Sequence, residues 1–148
     1  MNILISACLL GINCKYNGSN NNIPDIIKQM ENVTLISICP EQLGGLTTPR
    51  PPAEINEEAR ILSKEGNDVT KQFLFGAEET LKIAMMYNCE YAILKERSPS
   101  CGSNQVYDGS FTGKVKPGEG ITASLLKRNG IKVYSEENFE GLVNLLNK

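Results

Sequence analysis

At 148 residues, the chain is long enough for one domain, residues 1–148, with a core that needs no disulfides, and no apolar run is long enough to span a bilayer. Its formal net charge of −2 gives no general attraction to nucleic acids or membranes, and the lack of histidine excludes Ser–His pairs, Cys–His pairs and all histidine-bearing metal sites. Five cysteines, an odd number, argue against a disulfide framework, and the first residues lack the basic region of a signal peptide, so we expect a cytoplasmic protein with reduced thiols.

The first part of the chain predicts two buried strands separated by a loop and a short helix. The continuous apolar run Ile3–Ala7 is typical of a strand that is buried on both faces, and Leu9–Asn22 is rich in turn residues. A short helix is predicted over Pro24–Met30, because proline is tolerated in the first turn. Val33–Ile38 is the second predicted strand, and Thr47–Pro52 predicts an irregular connection.

The second part continues the alternation of strands and helices. A small hairpin is predicted over Ala59–Thr70, with Arg60–Ser63 turning back towards Val69, and a long amphipathic helix follows from Thr70 to about Asn88. Tyr91–Leu94 is the third predicted strand. The chain then closes with a long loop over Ser103–Gly120, a helix over Thr122–Asn129, a strand over Lys132–Tyr134 and a helix from Ser135 to about Asn147.

This alternation favours parallel strands joined by right-handed crossovers. The sequence therefore predicts an α/β fold in which helices cover both faces of a central parallel sheet of about four strands. In open sheets of this kind, ligands bind beyond the carboxyl ends of the strands.

Three cysteines follow the ends of predicted strands, namely Cys8, Cys39 and Cys101, and should therefore converge at one edge of the sheet. A free cysteine is most often a small buried hydrophobe, which is the preferred interpretation of Cys89. Three thiols at matching positions instead favour ligation of a soft metal or an iron–sulfur cluster, with one coordination position left open. Cys14 lies inside a loop, where we expect a supporting or incidental role.

Four other side chains are candidates at the same edge. Glu41, shortly after the second strand, is the candidate general base for a water molecule, since the chain has no histidine. Ser98 and Ser100 lie in the turn before the third strand-end cysteine, where their hydroxyls either bond their own backbone or contact a substrate. Arg50 lies between prolines, and both a substrate contact and a structural ion pair fit it equally.

The motifs around these residues resemble the thiouracil desulfidase family, formerly domain of unknown function 523. The segment SACLLG at residues 6–11 is followed by KYNG at 15–18. CPE at 39–41 is followed by GGL at 44–46 and TPRPPAE at 48–54, and KERSPSCG at 95–102 completes the pattern. The combination of SPSCG with CPE is highly specific.

This resemblance implies a Rossmann-like three-layer sandwich that holds a 4Fe–4S cluster on three cysteines, here Cys8, Cys39 and Cys101. The implied reaction is the desulfuration of a thiolated pyrimidine, 2-thiouracil or a related thiolated base or nucleoside, in which water replaces the sulfur without net redox change. Glu41 would be the catalytic acid/base residue and Ser100 its catalytic polar partner.

The resemblance also bears on the substrate. Lys15 and Asn17 stand where the family pattern has arginine and aspartate, a departure that affects substrate preference. Independently of the resemblance, Ser98 and Arg50 are predicted from their positions to contact the substrate. Some relatives carry a second domain and act on thiolated RNA bases. That extension is not in this sequence, so a small base or nucleoside is expected rather than thiolated RNA. No pattern in the sequence specifies an oligomer.

Two other classes of function fit the same residues. One is a zinc or iron–sulfur binding module without catalysis, and the other is a thiol-based sulfur-transfer protein that uses Cys101 as nucleophile, activated by Lys95 or Arg97. A single tetrahedral zinc ion would require sulfur–sulfur distances of about 4 Å, whereas a cluster would hold the sulfurs farther apart.

Overall fold

A computed structural model describes residues 1–148, and its elements alternate as the sequence predicts. The strands are β1 (Asn2–Ser6), β2 (Thr34–Ile38), β3 (Ala53–Ile55), β4 (Ile61–Ser63), β5 (Tyr91–Leu94), β6 (Gln105–Tyr107), β7 (Val115–Pro117) and β8 (Lys132–Ser135). The helices are a 3-10 helix over Ala7–Leu10, α1 (Ile26–Gln29), α2 (Pro40–Leu43), α3 (Thr70–Met86), α4 (Ile121–Arg128) and α5 (Phe139–Leu146).

A parallel sheet with strand order β2-β1-β5-β8 forms the middle layer. β1 lies inside it, so Ile3, Leu4 and Ile5 are completely buried. Ile3 and Ile5 belong to an apolar cluster with side chains of α1 and α5, while Leu4 belongs to a second cluster with side chains of α3 and α4. The expected α/β sandwich with a four-stranded parallel sheet is thus confirmed.

The parallel directions bring the carboxyl ends of all four strands to one edge. Ser6, the last residue of β1, is in register with Ile38 at the end of β2. Leu94, at the end of β5, is in register with Ser135 at the end of β8. Loops that leave these strands therefore meet above the same edge of the sheet, which is the general location of ligand sites in such folds.

The predicted hairpin over Ala59–Thr70 is present: Leu62 and Asp68 form an antiparallel bridge, and the N–H groups of Ser63 and Val69 bond the carbonyl oxygens of Asn67 and Ile61. The sequence does not predict β3, which pairs antiparallel with β4. The strand β3 gives little sequence signal because it follows two prolines and carries Glu54 at its centre. Glu54 is buried and accepts backbone N–H bonds from the loop between β6 and β7.

Two other predicted elements differ from those in the structure. The helix expected over Pro24–Met30 is only the single turn of α1, because Asp25 has a left-handed φ of 60° and separates Pro24 from it. The loop expected over Ser103–Gly120 contains the antiparallel pair β6–β7. The 17-residue α3 is the longest helix, and no helix has the combination of length and hydropathy needed to cross a bilayer.

The short helix α2, which the sequence does not predict, crosses α3 so closely that both helices require glycine. A Cβ atom on Gly44 would lie 2.0 Å from the carbonyl oxygen of Gln72, and one on Gly76 would lie 1.9 Å from that of Pro40. Neither helix can carry a side chain at the crossing without moving apart. Because α2 begins directly after Cys39, this contact helps to fix the position of that thiol.

Candidate metal centre

The structure brings the three strand-end thiols to one place. Cys8 lies in the 3-10 helix after β1, Cys39 directly follows β2, and Cys101 lies in the loop after β5. Burial and the nearby charges of Cys8, Glu41 and Cys39 together raise the pKa of Cys101 to about 12, against the lowering effect of the hydrogen bond from Ser6. These four groups therefore lie close enough for their charges to interact, although three separate segments of the chain carry them.

The three thiols do not form a close set of ligands for a single ion. No group of three or more cysteine, aspartate or glutamate side chains is close enough to hold one metal ion. A tetrahedral zinc ion with bonds of about 2.3 Å would require such a close group. All five cysteines are free thiols, and no imidazole is present. Thiols without imidazole are the ligand type that iron–sulfur clusters use.

Polar groups lower the pKa of the thiols against the effect of burial. Burial raises the pKa of Cys8, and the side chain of Asn21 partly offsets this. The hydrogen bond with Cys14 and the backbone N–H of Gln42, in the first turn of α2, lower the pKa of Cys39. The hydroxyl of Ser6 lies 3.5 Å from the sulfur of Cys101. Donors of this kind stabilise thiolates, the form in which cysteine binds metal.

The remaining cysteines differ in their distance from this site. Cys14 is buried, and its thiol hydrogen-bonds Cys39, which lowers the pKa of Cys39 and raises that of Cys14. Cys89 lies between α3 and β5, near the start of that strand and hence at the opposite edge of the sheet. It is buried in the apolar cluster between the sheet and α3, as expected for a structural cysteine.

Glu41 lies in the first turn of α2 and forms an ion pair with Arg50. The Nε of Arg50 donates to Oε1 of Glu41 at 3.3 Å, and its Nη2 donates to the carbonyl oxygen of Cys14 at 2.9 Å. Its Nη1 donates to Thr47 and Thr48. The Arg50 side chain is only 5% exposed and that of Glu41 is 20% exposed. Glu41 and Arg50 also border a cavity of about 80 Å³ next to β3.

Both candidate serines make bonds within the protein. The hydroxyl oxygen of Ser98 accepts the backbone N–H groups of Ser100 at 3.1 Å and Cys101 at 3.0 Å. Ser100 is completely buried, and its hydroxyl lies 2.7 Å from that of Thr122 in α4. These bonds stabilise the turn that carries Cys101.

Comparison with known proteins identifies the family. The family model described as 2-thiouracil desulfurase matches residues 3–138. The chain belongs to this family. A relative from Bacillus subtilis (strain 168), named uncharacterized protein YbbK, is 44% identical over an alignment of 150 positions that covers 95% of this chain and 99% of that protein. The resemblance expected from the sequence motifs is confirmed.

A solved structure gives a more specific likeness. It is a 4Fe–4S-dependent thiouracil desulfidase, TudS (DUF523Vcz), with 41% identity and a TM-score of 0.89. The match covers 99% of this chain and 97% of that one. The likeness in fold therefore extends to every element that carries the site.

In this member of the 2-thiouracil desulfurase family, the Cys101 loop is built around a residue that the sequence analysis missed. Glu96 is only 2% exposed, and its Oε1 accepts backbone N–H bonds from Ser103, Asn104 and Gln105 at 2.8, 2.9 and 3.1 Å. Burial alone would raise the pKa of Glu96, but the N–H donors outweigh it and lower the pKa. The only signal in the sequence was the run of charged residues, Lys95–Arg97, that follows a buried strand.

Glu96→Gln is expected to lower the free energy of unfolding by about 2 kcal/mol at pH 7, because hydrogen bonds to a buried charge lose most of their strength. Since folding lowers the pKa of Glu96, its stabilisation is complete above the ordinary glutamate value of about 4.3 and is lost as pH falls through the folded-state value. Urea unfolding at pH 7 and near pH 3 measures both effects. The exposed Glu65→Gln is the control. An equal loss of stability at both pH values would contradict this role.

Proposed function

We propose that this protein is a thiouracil desulfidase that depends on a 4Fe–4S cluster. Its family membership and its likeness to the TudS structure over 99% of the chain support this function. The observation that carries it is the convergence of three free strand-end thiols beside a partly exposed carboxylate. The overall reaction converts a ring C=S and water to C=O and hydrogen sulfide, without net oxidation or reduction.

We assign Cys8, Cys39 and Cys101 as the cluster ligands. The assignment rests on their common edge of the sheet, on the charge interactions among the three thiols and on the hydrogen bond from Ser6 to Cys101. When bound, a cluster with three protein ligands would supply an open iron, a Lewis acid for the soft thiocarbonyl sulfur that would draw electron density away from the ring carbon. Cys14 supports the site through its hydrogen bond to Cys39.

We assign Glu41 as the general base. The Arg50 contact holds its Oε1, and Oε2 has no hydrogen-bond partner in the protein, so Oε2 is the oxygen that would accept a proton from the attacking water. We assign Arg50 mainly to positioning Glu41, because each of its three nitrogen atoms already donates to a protein acceptor. This favours the ion pair over the substrate contact, the two roles that the sequence left open.

The direct roles expected for the two serines stay predictions. Ser100 as a catalytic partner requires its hydroxyl to leave or share its bond with Thr122. Ser98 as a substrate contact requires an additional bond, since its oxygen already accepts two backbone N–H groups. The observed bonds give both side chains a role in shaping the loop that carries Cys101.

We further propose that the substrate is a free thiolated base or nucleoside rather than thiolated RNA, and that the protein acts in the cytoplasm. The net charge of −2 offers no general attraction to a polynucleotide. The five free thiols suit a reducing compartment, where an iron–sulfur cluster is also retained.

Protein purified without oxygen and supplied with iron and sulfide should be brown and should convert 2-thiouracil to uracil, releasing one sulfide for each uracil. Uracil is measured by chromatography and sulfide by a colorimetric assay, with a thiolated RNA as the competing substrate. A brown protein that desulfurates no thiolated base would overturn the proposal in favour of a non-catalytic module. Colourless protein with full activity would favour thiol-based sulfur transfer.

A further inference from the structure

Ser6, the last residue of β1, has a side chain that contacts the loop after β5. It precedes the 3-10 helix that carries Cys8, but its side chain does not cap that helix. The hydroxyl instead lies against the loop after β5, where its oxygen accepts the backbone N–H of Lys95 at 3.1 Å. The same oxygen lies 3.5 Å from the sulfur of Cys101. Ser6 and Cys101 are 3% and 4% exposed, so water does not compete for this contact.

These contacts fix the direction of the hydroxyl hydrogen. A serine hydroxyl has one hydrogen to donate, and towards Lys95 it acts as an acceptor. The sulfur of Cys101 is its other partner, so the hydrogen points at that sulfur. The contact would strengthen when the sulfur is a thiolate, because a bond to a charged acceptor is stronger than one between neutral groups.

We propose that Ser6 is a positioning residue for the Cys101 thiolate, and that its hydrogen bond raises the reduction potential of the bound cluster and slows loss of the cluster. This inference rests on the ligand set assigned above. A hydrogen bond to a ligand sulfur withdraws electron density and so favours the more reduced state of the cluster. Partners that orient a metal ligand also increase its affinity for the metal.

The test compares Ser6→Ala with Ser135→Ala in cluster-loaded protein without oxygen. Ser135 is a matched control, since it is a completely buried serine at the end of β8 whose hydroxyl accepts a backbone N–H, that of Glu137 at 3.1 Å. A redox titration followed by electron paramagnetic resonance gives the midpoint potential, and iron transfer to a chelator gives the rate of cluster loss. We expect a more negative potential and about tenfold faster iron loss in Ser6→Ala only.

The outcomes separate this inference from the proposed function. Wild-type protein that takes up no cluster would overturn the ligand set itself. A fully loaded Ser6→Ala protein with the wild-type potential would overturn the role of Ser6 alone. If Ser6→Ala takes up no cluster, Ser6→Thr decides, because it retains the hydroxyl. Cluster binding at the wild-type potential in Ser6→Thr supports the hydrogen bond, and absence of the cluster there shows that packing at this position is what matters.

Discussion

Cys101→Ser is expected to leave the protein folded but unable to hold a 4Fe–4S cluster. The thiol is buried at the edge where the other two assigned ligands converge, and a serine hydroxyl is a poor ligand for iron beside thiolates. Cys8→Ser and Cys39→Ser should have the same effect. Iron and acid-labile sulfide, quantified on protein prepared without oxygen, measure the loss, and circular dichroism checks the fold.

Cys89→Ser is the matched control for these variants. Cys89 is also buried, but at the opposite edge of the sheet, so its replacement should leave the iron content at the wild-type value. Cys101→Ser protein with full cluster content would show that the ligand set is wrong. Equal loss from Cys89→Ser would indicate general destabilisation rather than loss of a ligand.

Glu41→Gln is expected to keep the cluster and the affinity for a thiolated pyrimidine but to slow desulfuration by at least about a hundredfold. Glutamine retains the shape of the side chain and an oxygen that can accept the Arg50 N–H, but it cannot take a proton from water. Conversion of 2-thiouracil under anaerobic conditions gives the rate, and the cluster absorbance confirms that the site is loaded.

Two comparisons make this result specific. Glu65→Gln removes the same charge from an exposed turn and should leave the rate unchanged. Arg50→Lys keeps a positive charge but cannot bond Glu41, Thr47, Thr48 and Cys14 at once, so it should lower the rate while Glu41 remains. Turnover of Glu41→Gln at the wild-type rate would place the base elsewhere.

Local pattern in the sequence determined the main sheet. Continuous apolar runs predicted β1 and β5 within a residue, because strands buried on both faces need apolar side chains at nearly every position. The edge strand β2 was also predicted within a residue, although it is only partly buried. Parallel direction followed from the alternation with helices. Since parallel strands end at one edge, the shared location of Cys8, Cys39 and Cys101 could be predicted from their positions in the chain alone.

Only the tertiary structure decided how polar side chains complete the site. Ser6 and Cys101 are 95 positions apart, yet their side chains touch because β1 and β5 are neighbours in the sheet. The sequence left Arg50 open between a substrate contact and an ion pair, and only the fold supplies its acceptors, Glu41 of α2 and the carbonyl oxygen of Cys14.

Contacts that only the folded chain creates also explain why Glu96 is buried and why β3 pairs with β4. From the sequence alone, a charged side chain is expected to face solvent. Glu96 is buried instead, because a later turn of the chain donates three backbone N–H groups to it. Glu54 likewise gains its partners from the loop between β6 and β7. Buried apolar side chains recur at regular spacing in the sequence, so the sequence alone predicts them. The hydrogen bonds of a buried polar group depend on donors that only the folded chain brings near it.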